Sequence, residues 1–202
     1  MRRVVVVLAL LALALPMAAW ADGITLVNEY GTISVLNSGV TSKGSELLQF
    51  NGITAPKGHS LGSVSFSTGA LISGSVAAGG VFSATGSTFD IRGVGTYGQP
   101  KGAIFTGSFT GPIDWTLVST VGPRKNYTLS GDITGMLYTG RTVVGTTVQN
   151  ISILNAQQGN QGMGHISLGT TTLPVPEPGT LGLLGTGLVG MAGVFRRKLM
   201  GS

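Results

Sequence analysis

Three aspartates are the residues of this chain whose side chains could support hydrolysis. Asp90, Asp114 and Asp132 could supply the two carboxyl groups that glycoside hydrolases use, one as an acid and the other as a base or nucleophile. Each aspartate, however, takes a polar position in a segment where apolar and polar residues alternate, and such positions face solvent in a half-buried strand. We therefore expect three exposed carboxylates and no catalytic residue among them.

One segment of the chain matches a nucleophile motif, and two histidines could in principle bind a metal. The segment Gly58-His59-Ser60-Leu61-Gly62 matches Gly-x-Ser-x-Gly letter for letter. A nucleophile elbow requires a strand before the serine and a helix after it, and no helical pattern follows Gly62. His59 and His165 lack the spacing of a metal-binding pair, and the chain contains no cysteine for thiolate chemistry or disulfides. We predict that the protein is not an enzyme and has no metal or cofactor site.

Two aromatic residues, Trp115 and Tyr127, are candidates for stacking on sugar rings. Trp115 alternates with Ile113 and Leu117, and Tyr127 alternates with Leu129. An aromatic ring that shares a strand face with aliphatic residues is more typical of a core than of a binding surface. We expect both rings to be buried.

The elements that position these residues are β-strands. The segments 64–66, 87–92, 113–117 and 127–133 alternate between apolar and polar residues, and this pattern is typical of antiparallel strands with one buried face. Gly- and Pro-containing joints separate them. The pattern predicts an all-β body, an antiparallel sandwich or jelly-roll-like barrel of roughly eight to ten strands. A parallel β-solenoid is the alternative. Between Val143 and Ile153 the apolar phase changes, which predicts a β-bulge or a short break in the strand.

The net charge of the chain, +5, is concentrated at the two ends. Arg2 and Arg3 precede an apolar segment, and the cluster 196–198 follows another, whereas residues 22–173 carry seven basic and six acidic side chains. Clustered charge beside an apolar segment directs membrane topology. The basic balance therefore does not indicate a nucleic-acid partner.

The N-terminal end has the three parts of a secretory signal peptide. Arg2 and Arg3 precede the apolar run Val4–Leu15, and Ala19 and Ala21 supply the small residues that signal peptidase recognises. We expect the general secretion machinery to export the chain and signal peptidase to cleave it after Ala21. An uncleaved N-terminal anchor is the alternative.

The C-terminal end has a short polar motif, an apolar run and a cationic cluster. Val175-Pro176-Glu177-Pro178 precedes the run Gly179–Phe195, and Arg196, Arg197 and Lys198 follow it. A helix of this length would extend roughly 25 Å, just short of a bilayer core of about 30 Å. The three cations would stop transfer on the cytoplasmic side. The pattern predicts a marginal transmembrane helix, with a plain permanent anchor as the alternative to a sorting signal.

This order of features resembles the PEP-CTERM sorting signal. The resemblance implies recognition by an exosortase-type membrane protease, transient anchoring in the inner membrane, and release to the cell surface or the extracellular space. It also implies a Gram-negative bacterium that makes exopolysaccharide. It covers the tail alone and implies nothing about the activity of the body.

The predicted organisation has five parts: a signal peptide (1–21), a β domain (22–167), an extended tether with the Pro-Glu-Pro motif (168–178), a transmembrane helix (179–195) and a basic cytoplasmic tail (196–202). The predicted function is that of an exported surface or extracellular-matrix protein without catalysis. The alternative is a secreted carbohydrate-binding module, whose partner would be exopolysaccharide.

Overall fold

The computed structural model describes residues 23–154 and 162–174, and they form β-strands and their connections. The strands are β1 (Gly23–Leu36), β2 (Gly39–Phe50), β3 (Ile53–Thr54), β4 (Gly62–Ser67), β5 (Leu71–Ser75), β6 (Gly79–Phe82), β7 (Thr88–Val94), β8 (Lys101–Phe109), β9 (Ile113–Val121), β10 (Arg124–Leu137), β11 (Thr142–Leu154) and β12 (Gly162–Pro174). No helix within this described part is long and apolar enough to cross a membrane.

The strands form a closed antiparallel barrel of eight strands. Hydrogen-bonded neighbours follow the order β1-β2-β4-β7-β8-β10-β11-β12, and β12 returns to pair with β1. Neighbours in the barrel are therefore also neighbours along the chain, apart from the closing pair and the excursions described next. This is an up-and-down topology, and closure leaves no free edge among the eight strands.

Three further strands lengthen the barrel wall at one end. β5 follows β4 along the chain, β6 precedes β7, and β9 follows β8. β5 pairs with β6, β6 pairs with β9, and β9 pairs with the first half of β10. β10 pairs with β9 through residues 124–130 and with β8 through residues 133–137. The interruption at Thr110-Gly111-Pro112 includes a proline, which has no N–H for the ladder.

The short strand β3 folds back on β2 through the turn Asn51-Gly52. Both turn residues have a positive φ, 44° and 82°. Two consecutive positive φ values are typical of a type I′ turn, whose twist matches that of a hairpin, and Asn-Gly is its preferred sequence.

The alternation predicted from the sequence is confirmed. Val64 and Phe66, Phe89 and Ile91, Ile113 and Trp115, and Tyr127, Leu129 and Ile133 are all buried. Four phenylalanines form an aromatic cluster inside the barrel, with ring centroids 5.7–6.3 Å apart; they are Phe66, Phe89, Phe105 and Phe109. The all-β antiparallel class is therefore correct.

Three details of the expectation require correction. Strand pairing is antiparallel throughout the described residues, so the parallel solenoid is wrong. The sheet closes on itself as one barrel, so the two stacked sheets of a sandwich are not formed. Residues 168–174 lie in β12 and pair with β1 and β11, so the β domain ends at Pro174 and not at residue 167.

The phase change expected in β11 is absent. Alternate residues from Val143 to Ile153 are buried, and Val144 and Val148 point outward. A register shift does occur opposite Asn150 and Ile151, but the additional residue belongs to β12. The apparent phase change arose because Thr147 and Gln149, both polar, take inward positions.

Candidate functional site: the terminal rim

Both ends of the described chain lie side by side at one end of the barrel. Gly23 and Pro174 are cross-strand partners at the outer end of the β1–β12 pair. The connections at the same end are residues 51–61, 95–100 and 138–141. We call these three connections, together with the adjoining strand ends, the terminal rim. The opposite end, with the turns at 37–38, 76–78 and 122–123, is called the far rim.

A buried glutamine holds two connections of the terminal rim together. The Gln99 side chain donates from Nε2 to the Leu61 carbonyl oxygen at 2.8 Å, and its Oε1 accepts from the Tyr97 backbone N–H at 3.0 Å. The Val94 N–H donates to the same Leu61 oxygen at 2.9 Å. Because Gln99 is buried, these bonds are protected from water and fix the loop around it.

The signal-peptidase residues, the sorting motif and the stop-transfer cluster lie outside the described residues. They are Ala19 and Ala21, Val175, Pro176, Glu177 and Pro178, and Arg196, Arg197 and Lys198. The same holds for the expected helix 179–195. The structure does fix the two points from which these segments continue, Gly23 and Pro174, which adjoin in one rim.

The structure brings two of the three aspartates near one another. Asp114 faces Ser130 across β9 and β10, so Asp132, two residues further along β10, takes a diagonal position on the same face. Both side chains are exposed on the outer wall. Asp90 lies on β7, which β8 separates from β10. The aspartates therefore lie on a convex surface and do not line a common cleft.

The Gly-x-Ser-x-Gly segment does not form a nucleophile elbow, and the two histidines are not placed as metal ligands would be. Residues 58–62 form a loop that leads into β4, whereas the elbow joins a strand to a helix. His59 is exposed, with its ring against the edge of Tyr97 at 6.2 Å. His165 borders a shallow depression of about 280 Å³ on the outer wall, lined also by Arg124, Ser152, Leu154, Met163 and Gly164. Within the described residues no three His, Asp or Glu side chains cluster as metal ligands would.

Trp115 and Tyr127 belong to the core, as expected from the sequence. Both are 1% exposed, and their rings stack at 4.4 Å with an angle of 11° between them. Trp115 Nε1 donates to the Val76 oxygen and Tyr127 Oη donates to the Ala77 oxygen, each at 2.9 Å. Burial raises the pKa of the Tyr127 phenol. The pair anchors the β5–β6 turn from inside and offers no face to a sugar.

The barrel interior contains a buried polar network that the alternation pattern did not predict. Asn28 Nδ2 donates to Gln149 Oε1 at 3.0 Å, and Gln149 Nε2 donates back to Asn28 Oδ1 at 3.3 Å. Asn28 also donates to Ser45 Oγ at 2.8 Å, and Gln149 donates to Thr147 Oγ1 at 2.9 Å. Thr147 in turn contacts the Thr171 hydroxyl at 2.9 Å. Every second residue of β11 from Val143 to Ile153 faces inward. Applying that two-residue period without regard to residue type would have predicted Thr147 and Gln149 in the core.

Comparison with known proteins identifies the C-terminal segment. Residues 174–198 match the model of the PEP-CTERM protein-sorting motif. The matched segment begins at Pro174, the last residue of β12, so the motif follows the barrel without a spacer. No curated protein and no solved structure matches the chain at a significant level.

Proposed function

Because the chain carries a PEP-CTERM sorting motif directly after its last strand, we propose that it is exported, held briefly in the inner membrane and released by an exosortase-type protease. The released product is the closed barrel, which reaches the cell surface or the extracellular matrix. Signal peptidase removes the N-terminal segment after Ala21, two residues before β1 begins.

The observation that carries this proposal is the position of the motif relative to the barrel. The motif starts at the final residue of β12. Cleavage anywhere beyond Pro174 therefore removes no paired strand, and the barrel keeps all of its ladder hydrogen bonds. A sorting tail that is removed after use should contribute no strand to the fold, and this tail contributes none to the described barrel beyond Pro174.

The proposed role of the released body is structural, without catalysis. The convex placement of Asp114 and Asp132 supports this, because glycoside hydrolysis requires two carboxyl groups on either side of an enclosed bond. A carbohydrate-binding body that retains exopolysaccharide remains the alternative. The burial of Trp115 and Tyr127 removes the two aromatic residues that the sequence offered for that role.

The sorting proposal is tested by following the tagged chain in a host with its exosortase. Changing Pro176, Glu177 and Pro178 together to alanine should leave the full-length chain in the membrane fraction. The unaltered chain should yield a product that ends within the matched segment, residues 174–198, and lacks everything beyond the cleavage point. A Pro56→Ala/Pro123→Ala variant, which loses two exposed prolines outside the tail, should be processed normally.

Persistence of the full-length form of the unaltered chain would instead show a permanent anchor. The role of the body is tested separately by screening the purified protein against a glycan array. A structural body predicts no saturable binding. Saturable binding that survives repeated purification would favour the carbohydrate-binding alternative.

A further inference from the structure

The described residues of the terminal rim carry exposed positive charge and no acid. Lys57, Lys101 and Arg141 are all exposed there, and Arg92 is exposed on the wall in one row with Glu46, since both lie opposite Ser63. Residues 51–62, 92–101 and 137–142 contain no Asp or Glu. The acids of the described residues lie within strands on the wall, at Glu29, Glu46, Asp90, Asp114 and Asp132. The described acids are therefore confined to the wall, whereas exposed cations lie both on the terminal rim and outside it, at Lys43 and Arg124.

The rim also presents apolar and aromatic groups in fixed positions. Tyr138 is 49% exposed and contacts Phe50 edge-on at 6.5 Å, and Val94 is 46% exposed. Gln99 fixes the neighbouring loop through its two hydrogen bonds. Tyrosine is enriched where proteins meet lipid headgroups.

The length of the connection limits how far Pro174 can lie from a membrane that holds the expected helix. Four residues, 175–178, separate Pro174 from the expected start of the membrane helix at Gly179. Fully extended, that connection spans at most about 18 Å. Headgroups occupy about 6 Å of this distance on each side of the bilayer, and the Debye length is about 8 Å at physiological salt. If the helix begins at Gly179, Pro174 therefore lies at most about 12 Å from the headgroups, which is one to two Debye lengths.

From this we propose that the terminal rim docks on the anionic headgroups of the membrane while the tail anchors the chain. The inference rests on the proposed function, because the tail supplies the proximity. The occupant of the rim is the lipid surface itself. Docking orients the barrel with the Pro174 junction against the bilayer. Each cation near an anionic surface should strengthen partition about fivefold, an effect that salt screens.

The absence of native cysteine allows a clean test with single-cysteine labels on the chain that begins at Asp22 and keeps the whole C-terminal tail. One fluorophore is placed on the terminal rim through Thr139→Cys, and a control fluorophore beside the far rim through Thr120→Cys. Both native side chains are exposed. The chain is reconstituted in phosphatidylcholine vesicles with and without phosphatidylglycerol, each containing lipids with a nitroxide headgroup that quenches fluorescence on contact.

Docking predicts that the rim fluorophore is quenched more strongly in the anionic vesicles at low salt, and that high salt removes the difference. The far-rim fluorophore should show no difference. A Lys57→Gln/Lys101→Gln variant should lose most of the lipid dependence. A Lys43→Gln/Arg124→Gln variant, which removes two exposed cations outside the rim, should keep it.

Equal quenching of the rim fluorophore in both vesicle types, with the protein still floating with the vesicles, would overturn the docking alone. Failure to float with either vesicle type would mean that the tail does not anchor, so the proposed function and the docking would fall together. Lipid dependence that both double variants lose equally would show general attraction of a basic protein and would also overturn the proposal.

Discussion

The carboxamides of Asn28 and Gln149 form a reciprocal pair across 121 residues of sequence. Asn28 lies opposite Gly169 in the β1–β12 pair, and Gly169 lies opposite Gln149 in the β11–β12 pair. The three residues therefore form one row, and the two amides meet above the glycine. A Cβ at Gly169 would collide with both amides. The missing side chain on the middle strand makes room for the pair.

Breaking this pair from one side should be costly. Asn28→Leu leaves the Gln149 amide without its partner in a buried site, and we expect a loss of about 2–3 kcal/mol in the free energy of unfolding. The loss is measured by urea denaturation. Thr146→Val, at an exposed outward position of β11, is the control and should change stability by less than about 0.5 kcal/mol.

The double variant Asn28→Leu/Gln149→Met distinguishes hydrogen bonding from packing. If unpaired polar groups cause the loss, replacing both amides by apolar side chains should cost less than the sum of the two single changes. Additive losses would show that the cost comes from packing and not from unsatisfied amides.

Two buried serines of β2 should respond in opposite directions to the same substitution. Ser45 Oγ donates to the Glu29 oxygen at 3.0 Å and accepts from Asn28. Among the described residues, the Ser42 hydroxyl is buried without a hydrogen-bond partner. Ser45→Ala should lower stability by about 1–3 kcal/mol, whereas Ser42→Ala should be neutral or stabilising. Each serves as the control for the other, and equal losses in urea denaturation would contradict the hydrogen-bond assignment.

Tyr127 should make the barrel sensitive to alkaline pH. Burial raises the pKa of its phenol above the unfolded value of about 10. Above pH 10 the unfolded chain releases the proton while the folded chain retains it. The stability that the neutral phenol contributes is therefore complete below pH 10 and is lost as the pH rises through the folded pKa.

Urea midpoints measured between pH 8 and pH 11 test this. Tyr127→Phe should lower stability by about 1 kcal/mol at pH 8, because the bond to the Ala77 oxygen is lost, and should flatten the decline above pH 10. Tyr138→Phe, at a half-exposed ring, should retain the steep decline. Parallel curves for the unaltered chain and Tyr127→Phe would contradict the assignment.

The position of the domain boundary can be tested by truncation. A chain ending at Pro174 should unfold at the same urea concentration as the full-length chain, because every strand of the barrel is intact. A chain ending at residue 167 loses the segment that pairs with both β1 and β11, including buried Thr171 and Leu173. We expect it to lose cooperative unfolding and near-UV circular dichroism. Identical unfolding of both truncated chains would restore the boundary that the sequence suggested.

The sequence predicted the local features of the fold because side-chain alternation is a local property. Phe89 and Ile91 face inward and Arg92 outward, as the two-residue period requires. Closure of the barrel depends on β12 meeting β1, and no local pattern encodes a pair so distant in sequence. The inward phase of Thr147 and Gln149 was missed because polar residues predict a wet face unless their partners are known.

The candidate site likewise has one part that the sequence predicted and one part that it did not. The Pro-Glu-Pro motif was readable because it is a contiguous signal, and the family comparison confirms it. The terminal rim was not readable, because Lys57, Lys101 and Arg141 are distant in the sequence and meet only through the up-and-down topology. The grouping of these cations becomes visible only when the strand order is known.

The closing pair also has a consequence for the order of folding. Most pairings join strands close in sequence and can form as the chain emerges, since short loops close readily. β1 and β11 must wait for β12, the last strand to arrive. Until then each presents a row of unpaired backbone donors and acceptors, the template that another chain would use to pair with it. Aggregation during export should therefore be governed by the delay before residues 162–174 appear, and a slower supply of that final strand should prolong the exposure of both edges.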